Sequence, residues 1–283
     1  MLPQEATKTQ RWRDRRQHWR VDRDEGFRKA DFSADIIRDG IARAFVTAHH
    51  YSGSYPVAVE RVGLFRGIEL VGAAVFSIPI NNNAVPRYTG LKSKEGVELG
   101  RFVLLDEVPY NAESFFLAKA MGLLYAEHPE LRGVIAYSDP VPRQAAEGRV
   151  VMPGHVGVIY QASSASYAGR AQAKTLHVTA DGIALSSRGL SKIRLQEHGA
   201  ASAEKRLIRL GAPPRAFGQD PAEWVSEVLD AGIFKKVSHP GNHVYCFALG
   251  PSARKRRTAG QFAPARPYPK MLDSEKFSKV IQN

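Results

Sequence analysis

Between Gly154 and Gly169 the chain reads GHVGVIYQASSASYAG, with Tyr160 and Tyr167 seven residues apart. Ahead of it lies GVIAYSDP, a short apolar run that ends in Asp139. The stretch is too polar for a core helix and too apolar for a loop. It either packs against the core or holds a substrate. A second chemical signal is cationic. RWRDRRQHWR mixes five arginines with two tryptophans, and ARKRR follows near the other end. Arginine pairs phosphates and tryptophan stacks on bases, so this mixture suits nucleic acid. The candidate contacts are Arg11, Arg13, Arg15 and Arg16 at the start, and Arg254, Lys255, Arg256 and Arg257 at the end. SSRGLSKIR adds Arg188, Lys192 and Arg194.

The bulk balance points the same way. Forty Lys and Arg stand against 28 Asp and Glu, for a formal charge of +12. Each phosphate neutralised releases condensed counterions, so such an excess favours a polyanionic partner such as nucleic acid. Simple solubility is the rival explanation, and the clustering of the cations weighs against it. Hydrophobic residues make up 43% of the 283, enough for a sizeable core. No apolar run approaches the roughly 20 residues of a membrane helix, and the first residues are charged rather than signal-like. A single cysteine, Cys246, excludes a disulfide framework and a CxxC zinc site. These features predict a reduced, cytoplasmic protein with no membrane partner. Oligomeric state leaves no mark in the sequence.

The elements that must position these residues follow from hydrophobic periodicity. Residues 1–30 are charged enough for an arm or an exposed helix. SADIIRDGIARAFVTAHH repeats Ile36, Ile37, Ile41, Ala44 and Phe45 at helical spacing, with Ser33 as a plausible cap, and HHYSGSYP ends it. VAVERVGLFRG and ELVGAAVFSIPI read as paired strands around Arg66-Gly67, and NNNAVPRYTGLKSKEG as a polar loop. A strand from Val97 to Leu105, a helix bearing Leu117, Met121 and Leu124, and the strand before Asp139 form a βαβ unit. Further on come a strand with an Asp-Gly turn, the helices SAEKRLIRLG and DPAEWVSEVLDAG, and a closing strand, NHVYCFALG. The expected organisation is a basic arm (1–30), a core (31–170), an insertion that grips DNA (171–240), a closing core strand (241–250) and a basic Pro-rich tail (251–283).

Phosphate-loop, GxGxxG, HExxH and GxSxG signatures are absent, and YSDP is only a partial echo of the DPPY of adenine methyltransferases. The element order fits the α/β (α+β) architecture of GNAT-type N-acyltransferases, a mixed sheet flanked by helices. There a central strand splays from its neighbour and a helix start binds the pyrophosphate of acyl-CoA. Here that position reads DEVPYNAES, with Asp106, Glu107 and Glu113 and no glycine. Acidic groups repel a pyrophosphate, which disfavours acetyl-CoA.

HHYSGSYP, LGRFVLLDEVPYNAESFFLAKA, VIAYSDP and GHVGVIYQASSASYAG, in this order, resemble the bacteriophage Mom family. The likeness covers roughly residues 35–170, with looser echoes in DGIALSSRGLSKIR and RPYPK. It implies a GNAT-like fold and an enzyme that converts adenine in double-stranded DNA to an N6-carbamoylmethyl form, which shields phage DNA from restriction. It also implies a set of functional residues: His50, Tyr51, Arg101, Ser114, Asp139 and Tyr160. In that set Asp139 would take the N6 proton, because an exocyclic amine is barely basic. Tyr51 and Tyr160 would stack on an extruded base, and Arg101 would hold a carboxylate or phosphate. The family also admits a metal such as iron on His50, Tyr51 and Asp139, although neighbours at a helix end do not face one way by default.

Each residue has a plainer role as well. Arg101 could pair with Glu98 or Asp106, Ser114 cap its helix, Asp139 cap a turn and Tyr160 fill the core. His155, His239 and His243 show no ligand spacing and read as structural, and Cys246 as a buried small hydrophobe. Two other functions stay open: an acyl-CoA N-acyltransferase, and a non-catalytic DNA-binding or anti-restriction protein on a GNAT scaffold.

Overall fold

The computed structural model describes residues 6–13, 16–21, 26–109, 111–148, 150–152, 154–251, 262 and 266–270. An antiparallel hairpin comes first, β1 (Ala6–Arg13) and β2 (Arg16–Val21), with Trp12 opposite Gln17 and Arg13 opposite Arg16. The arm is therefore extended rather than helical. Arg11, Arg13 and Arg16 belong to it, whereas Arg15 and Arg254 to Arg257 lie outside the described residues.

There follow β3 (Phe32–Ile36), α1 (Asp39–His49), β4 (Ala58–Arg66), β5 (Glu69–Ser77), α2 (Ala84–Thr89), β6 (Gly96–Leu104), α3 (Ala112–Glu127) and β7 (Gly133–Ser138). Next come β8 (Arg143–Gln144), β9 (Val150–Met152), α4 (Val158–Ala162), β10 (Ser166–Arg170) and β11 (Lys174–Val178). The chain continues through α5 (Ser187–Arg194), α6 (Ala200–Arg209), α7 (Pro221–Asp230), β12 (Lys235–His239) and β13 (His243–Ala248).

Two expectations are corrected here. Ser33 does not cap a helix but pairs with Phe65 in β3. Phe32, Ala34 and Ile36 turn to the core with period two, and the helical period begins only at Asp39. The polar loop after β5 holds α2, which closes at Gly90 in the left-handed region (φ 71) and packs Ala84 and Val85 against Ile135 and Cys246.

The chain divides into two compact units. One comprises 1–140, 154–171 and 242–283, the other 141–153 and 172–241. Residues 141–153 thus belong with the second unit rather than with the core segment expected from the sequence.

The first unit is built on a seven-stranded sheet in the order β10-β13-β7-β6-β5-β4-β3. Its architecture is mixed α/β. Phe116, Leu117, Ala120 and Leu124 of α3 cover one face over Val62, Leu64, Phe76 and Val134. On the other face Ala42 and Val46 of α1 meet Ala73, Val75 and Val103, and α2 covers Ile135. Each buried Val, Leu, Ile or Phe among them stabilises the fold by about 1.5–3 kcal/mol relative to exposure.

The sheet is antiparallel except where β6 meets β7. That parallel pairing lasts only from Gly96 opposite Gly133 to Glu98 opposite Ile135. Beyond it β6 stays with β5 as far as Leu104, and β7 stays with β13 as far as Ser138. Each strand keeps its outer neighbour and loses its inner one, so the sheet opens into a wedge. At the mouth β6 carries a bulge: Val75 faces Arg101 and Phe76 faces Leu99, leaving Gly100 unmatched. A Cβ on Gly100 would collide with the Ser77 hydroxyl and approach Pro56 to 3.1 Å, so a side chain there has no room.

The second unit has its own core of Leu190, Ile193, Leu207, Trp224, Val228 and Phe234. Ser186 caps α5 by accepting from the Gly189 N–H at 3.1 Å. Asp220 caps α7 by accepting from Ala222 and Glu223 at 2.8 and 3.0 Å, with Pro221 in the first turn.

Candidate active site

α1 ends at His50, and Gly53 (φ 53) turns the chain back so that its N–H reaches the His50 carbonyl at 2.9 Å. The His50 ring is buried and packs against Tyr51 with centroids 4.2 Å apart and the planes tilted by 31°. Its Nδ1 accepts the Ser52 backbone N–H at 3.1 Å and lies 2.9 Å from Ser52 Oγ. Burial, then Arg101, then His155 push the His50 pKa down to about 3. The ring is neutral at physiological pH, and with Nδ1 accepting, its proton sits on Nε2.

Arg101 ties this loop to the bulge. Its Nε donates to the Ser54 carbonyl at 2.9 Å, Nη2 to Ser54 Oγ at 2.7 Å, and Nη1 to the Gly100 carbonyl. The far end is held as well, since Tyr55 donates to Asp39 Oδ1 at 3.1 Å and Arg61 to the same oxygen at 3.2 Å. The hydrogen bonds of Arg101 therefore go to Ser54 and Gly100, not to the carboxylates of Glu98 or Asp106.

Glu98 is the last residue of β6 paired to β7, so it stands where the wedge opens. Burial raises its pKa to about 7, against the opposing pull of Arg101. Its charge also helps to raise the phenol pKa values of Tyr137 and Tyr160, after desolvation. Sequence reasoning considered Glu98 only as a partner for Arg101. Nothing local marks it out, because its perturbation comes from burial at a strand divergence.

Tyr160 enters from α4. Its ring is buried, 5.3 Å from Tyr245 and 6.1 Å from Phe247, so its faces are occupied and it does not stack on a base in this arrangement. Burial first, then the charges of Tyr51 and Glu98, push its phenol pKa up. The fold permits this burial because α4 starts at Gly157 in the left-handed region (φ 74). A Cβ there would lie 2.7 Å from Tyr245, 2.9 Å from Tyr160 and 3.1 Å from Ser138 Oγ. Gly157→Ala combines backbone strain with overpacking, and is expected to cost about 3 kcal/mol, read as a lowered melting temperature.

Asp139 closes β7, and its carbonyl accepts the His155 N–H at 2.8 Å. The Asp139 charge acts on His155, which in turn acts on His50. His155, read as structural from its spacing, is thus fastened by its backbone to the end of β7 that bears Asp139. His243 and His239 fit that plainer reading: Tyr167 Oη lies 2.7 Å from His243 Nδ1, and His239 Nδ1 accepts from Gly241 at 3.1 Å. Cys246 is a buried small side chain whose thiol burial pushes up to about 12. Ser114 is not the helix cap. It lies one turn inside α3 and donates to the carbonyl of Asn111, the capping residue, at 3.0 Å.

The family model of the Mom protein family matches residues 31–270. The chain belongs to the Mom family. Among curated proteins, the methylcarbamoylase Mom of Escherichia phage Mu is 26% identical over 146 residues, 51% of this chain and 56% of that protein. The chain thus spans about half the length of the curated relative it matches. Among solved structures, a tandem GNAT protein from the clavulanic acid biosynthesis pathway, without acetyl-CoA, gives a TM-score of 0.34 at 10% identity. That overlap covers 78% of this chain and 75% of the other, and is too loose to carry an argument. The Mom match spans both units, so the second unit is part of the family's extent.

Two groups are raised by the sequence, a metal by the Mom resemblance and acyl-CoA by the GNAT-like element order, and the residues present fit neither. Among the described residues no three His, Cys, Asp or Glu side chains stand close enough to hold a metal. His50 would also have to give up the Ser52 N–H to free a different ring nitrogen. An acyl-CoA pyrophosphate at the start of α3 would meet Glu113 in the first turn and Glu107 exposed just before it.

Of the cations singled out in the second unit, Arg188, Lys192 and Arg194 all lie on α5, and α6 adds Lys205, Arg206 and Arg209. Arg188 pairs with Glu197, while Lys192 and Arg194 lie in the last turn of α5. A cleft of about 310 Å³ between these helices is lined by Arg188, Lys192 and Arg206 over Leu190, Ile193 and Leu207. Among the described residues no helix is long and apolar enough to cross a membrane.

Proposed function

We propose that this Mom-family chain is a DNA-modifying transferase that adds a carbamoylmethyl-type group to adenine N6, in the cytoplasm of a phage-infected bacterium, so that the DNA escapes restriction. What supports this reading is the opening between β6 and β7, with Glu98 at its last paired position and Arg101 in the bulge tied through Ser54 to the loop that follows His50 and Tyr51. A duplex base must leave the stack to react. The His50–Tyr51 pair offers it a flat surface, and Arg101 offers positive charge to the donor. N6 forms the new bond to the donor carbon, the leaving group departs with its electron pair, and the N6 proton passes to a carboxylate. Asp139 is the acceptor implied by the family resemblance. Glu98, poised near neutral pH, is better matched to the task.

The deciding experiment is mass analysis of nucleosides from DNA of cells that express the protein. Wild type is expected to yield a heavier deoxyadenosine and Glu98→Gln far less of it, while a product lost only in Asp139→Ala would make Asp139 the base. Unmodified nucleosides together with tight DNA binding would favour the non-catalytic scaffold. Saturable acetyl-CoA binding by the purified protein would restore the acyltransferase.

A further inference from the structure

Phe217 is the most exposed of the large apolar side chains described, at 109% of its reference accessibility. It stands on the loop between α6 and α7, and that loop is braced. The Gln219 N–H donates to the Ala216 carbonyl at 3.1 Å, the Ala216 N–H donates to Gln219 Oε1 at 3.1 Å, and Gly218 completes the turn at φ 76. Arg215 donates to the Gln219 carbonyl at 2.8 Å and pairs with Glu204 of α6 at 3.3 Å. Gln219 Nε2 donates to Glu227 of α7 at 2.7 Å. The turn is fastened to both flanking helices with its phenyl ring in solvent.

The helices that lead into this loop carry an excess of positive charge, while α7 beyond it has Glu223 in its first turn. The two acids of the α5–α6 stretch, Glu197 and Glu204, are matched by Arg188 and Arg215, which leaves Lys192, Arg194, Lys205, Arg206 and Arg209 in excess. Asp220 is engaged in capping α7 and Glu227 in holding Gln219. Protruding apolar side chains flanked by cations enter DNA between base steps, where they replace the stacking that extrusion of a base removes.

We propose that Phe217 is a wedge that enters the base stack of duplex DNA while the α5–α6 cations hold the flanking phosphates. This rests on the reading of DNA as the substrate. The test uses the full chain and a duplex carrying 2-aminopurine. Wild type is expected to raise its fluorescence several-fold on binding. Phe217→Ala should keep its affinity within about tenfold, because phosphate contacts supply most of the binding, yet lose the fluorescence rise. Phe217→Trp should restore it, with quenching of the new indole. An unchanged rise in Phe217→Ala would overturn the wedge while leaving DNA binding intact. So would an altered oligomeric state of that variant without a change in fluorescence, which would make the ring a contact between copies of the chain. A wild-type chain that does not bind duplex at all would overturn the DNA reading and the wedge with it.

Discussion

Glu98→Gln is expected to lower the rate of base modification by about 10²- to 10⁴-fold, the usual worth of a positioned general base. Wild-type activity should rise with pH through about 7 as the carboxyl ionises, and the variant should lose that ascending limb. Stability separates this role from a structural one. In the native chain Glu98 holds its proton up to about pH 7, whereas an unfolded glutamate loses it near pH 4.3. Between those values the folded state binds more protons, so this residue's contribution weakens as pH rises through the window. Glutamine removes that dependence. Relative to wild type, the variant's melting temperature should therefore be higher at pH 8 than at pH 5. An active variant with an unchanged pH profile would remove Glu98 from the mechanism, leaving Asp139 as the base.

Arg101→Ala is expected to cost at least about 10²-fold in activity, through two losses that a second variant separates. The guanidinium makes charged hydrogen bonds to Ser54, worth about 1.5–3 kcal/mol each, and these hold the loop that carries His50 and Tyr51. It also lowers the His50 pKa, so in Arg101→Ala that ring should titrate at higher pH, visible by NMR. Arg101→Lys retains a charge but cannot span both Ser54 groups as the planar fork does. It should restore the depressed His50 titration in part and leave activity low. Full activity in Arg101→Lys would show that charge alone suffices and that the fork is dispensable.

Legibility in the sequence follows the range of the forces involved. The paired strands β4 and β5, the unit β6-α3-β7 and the helices α6 and α7 are visible because periodicity and turn residues act within a few positions. The miss at β3 is also local: Phe32, Ala34 and Ile36 alternate just before the helical repeat begins, and the helical pattern masked them. The bend of the chain into α4 could be anticipated from Gly154 and Gly157, which both adopt positive φ.

The site was only partly legible. His50, Tyr51 and Arg101 could be named because the order of motifs resembles a family, but the partner of Arg101 could not. Ser54 lies 47 residues away in sequence, and the two meet only because α1 packs across β4 and β5. His155 was set aside for want of a ligand spacing, and its backbone bond to Asp139 fastens it to the end of β7.

GHVGVIYQASSASYAG shows where the division falls. By itself the sequence determined that the segment turns at its glycines and presents Tyr160 one turn into a short helix, because backbone freedom and helical period are local properties. It also determined the cationic excess, since charge is additive along a chain. Only the tertiary structure decided that Tyr160 packs its ring against Tyr245 and Phe247, and that Glu98 holds its proton near neutrality. Those outcomes depend on where β6 parts from β7 and how much water the opening excludes, and both are set by contacts between distant segments.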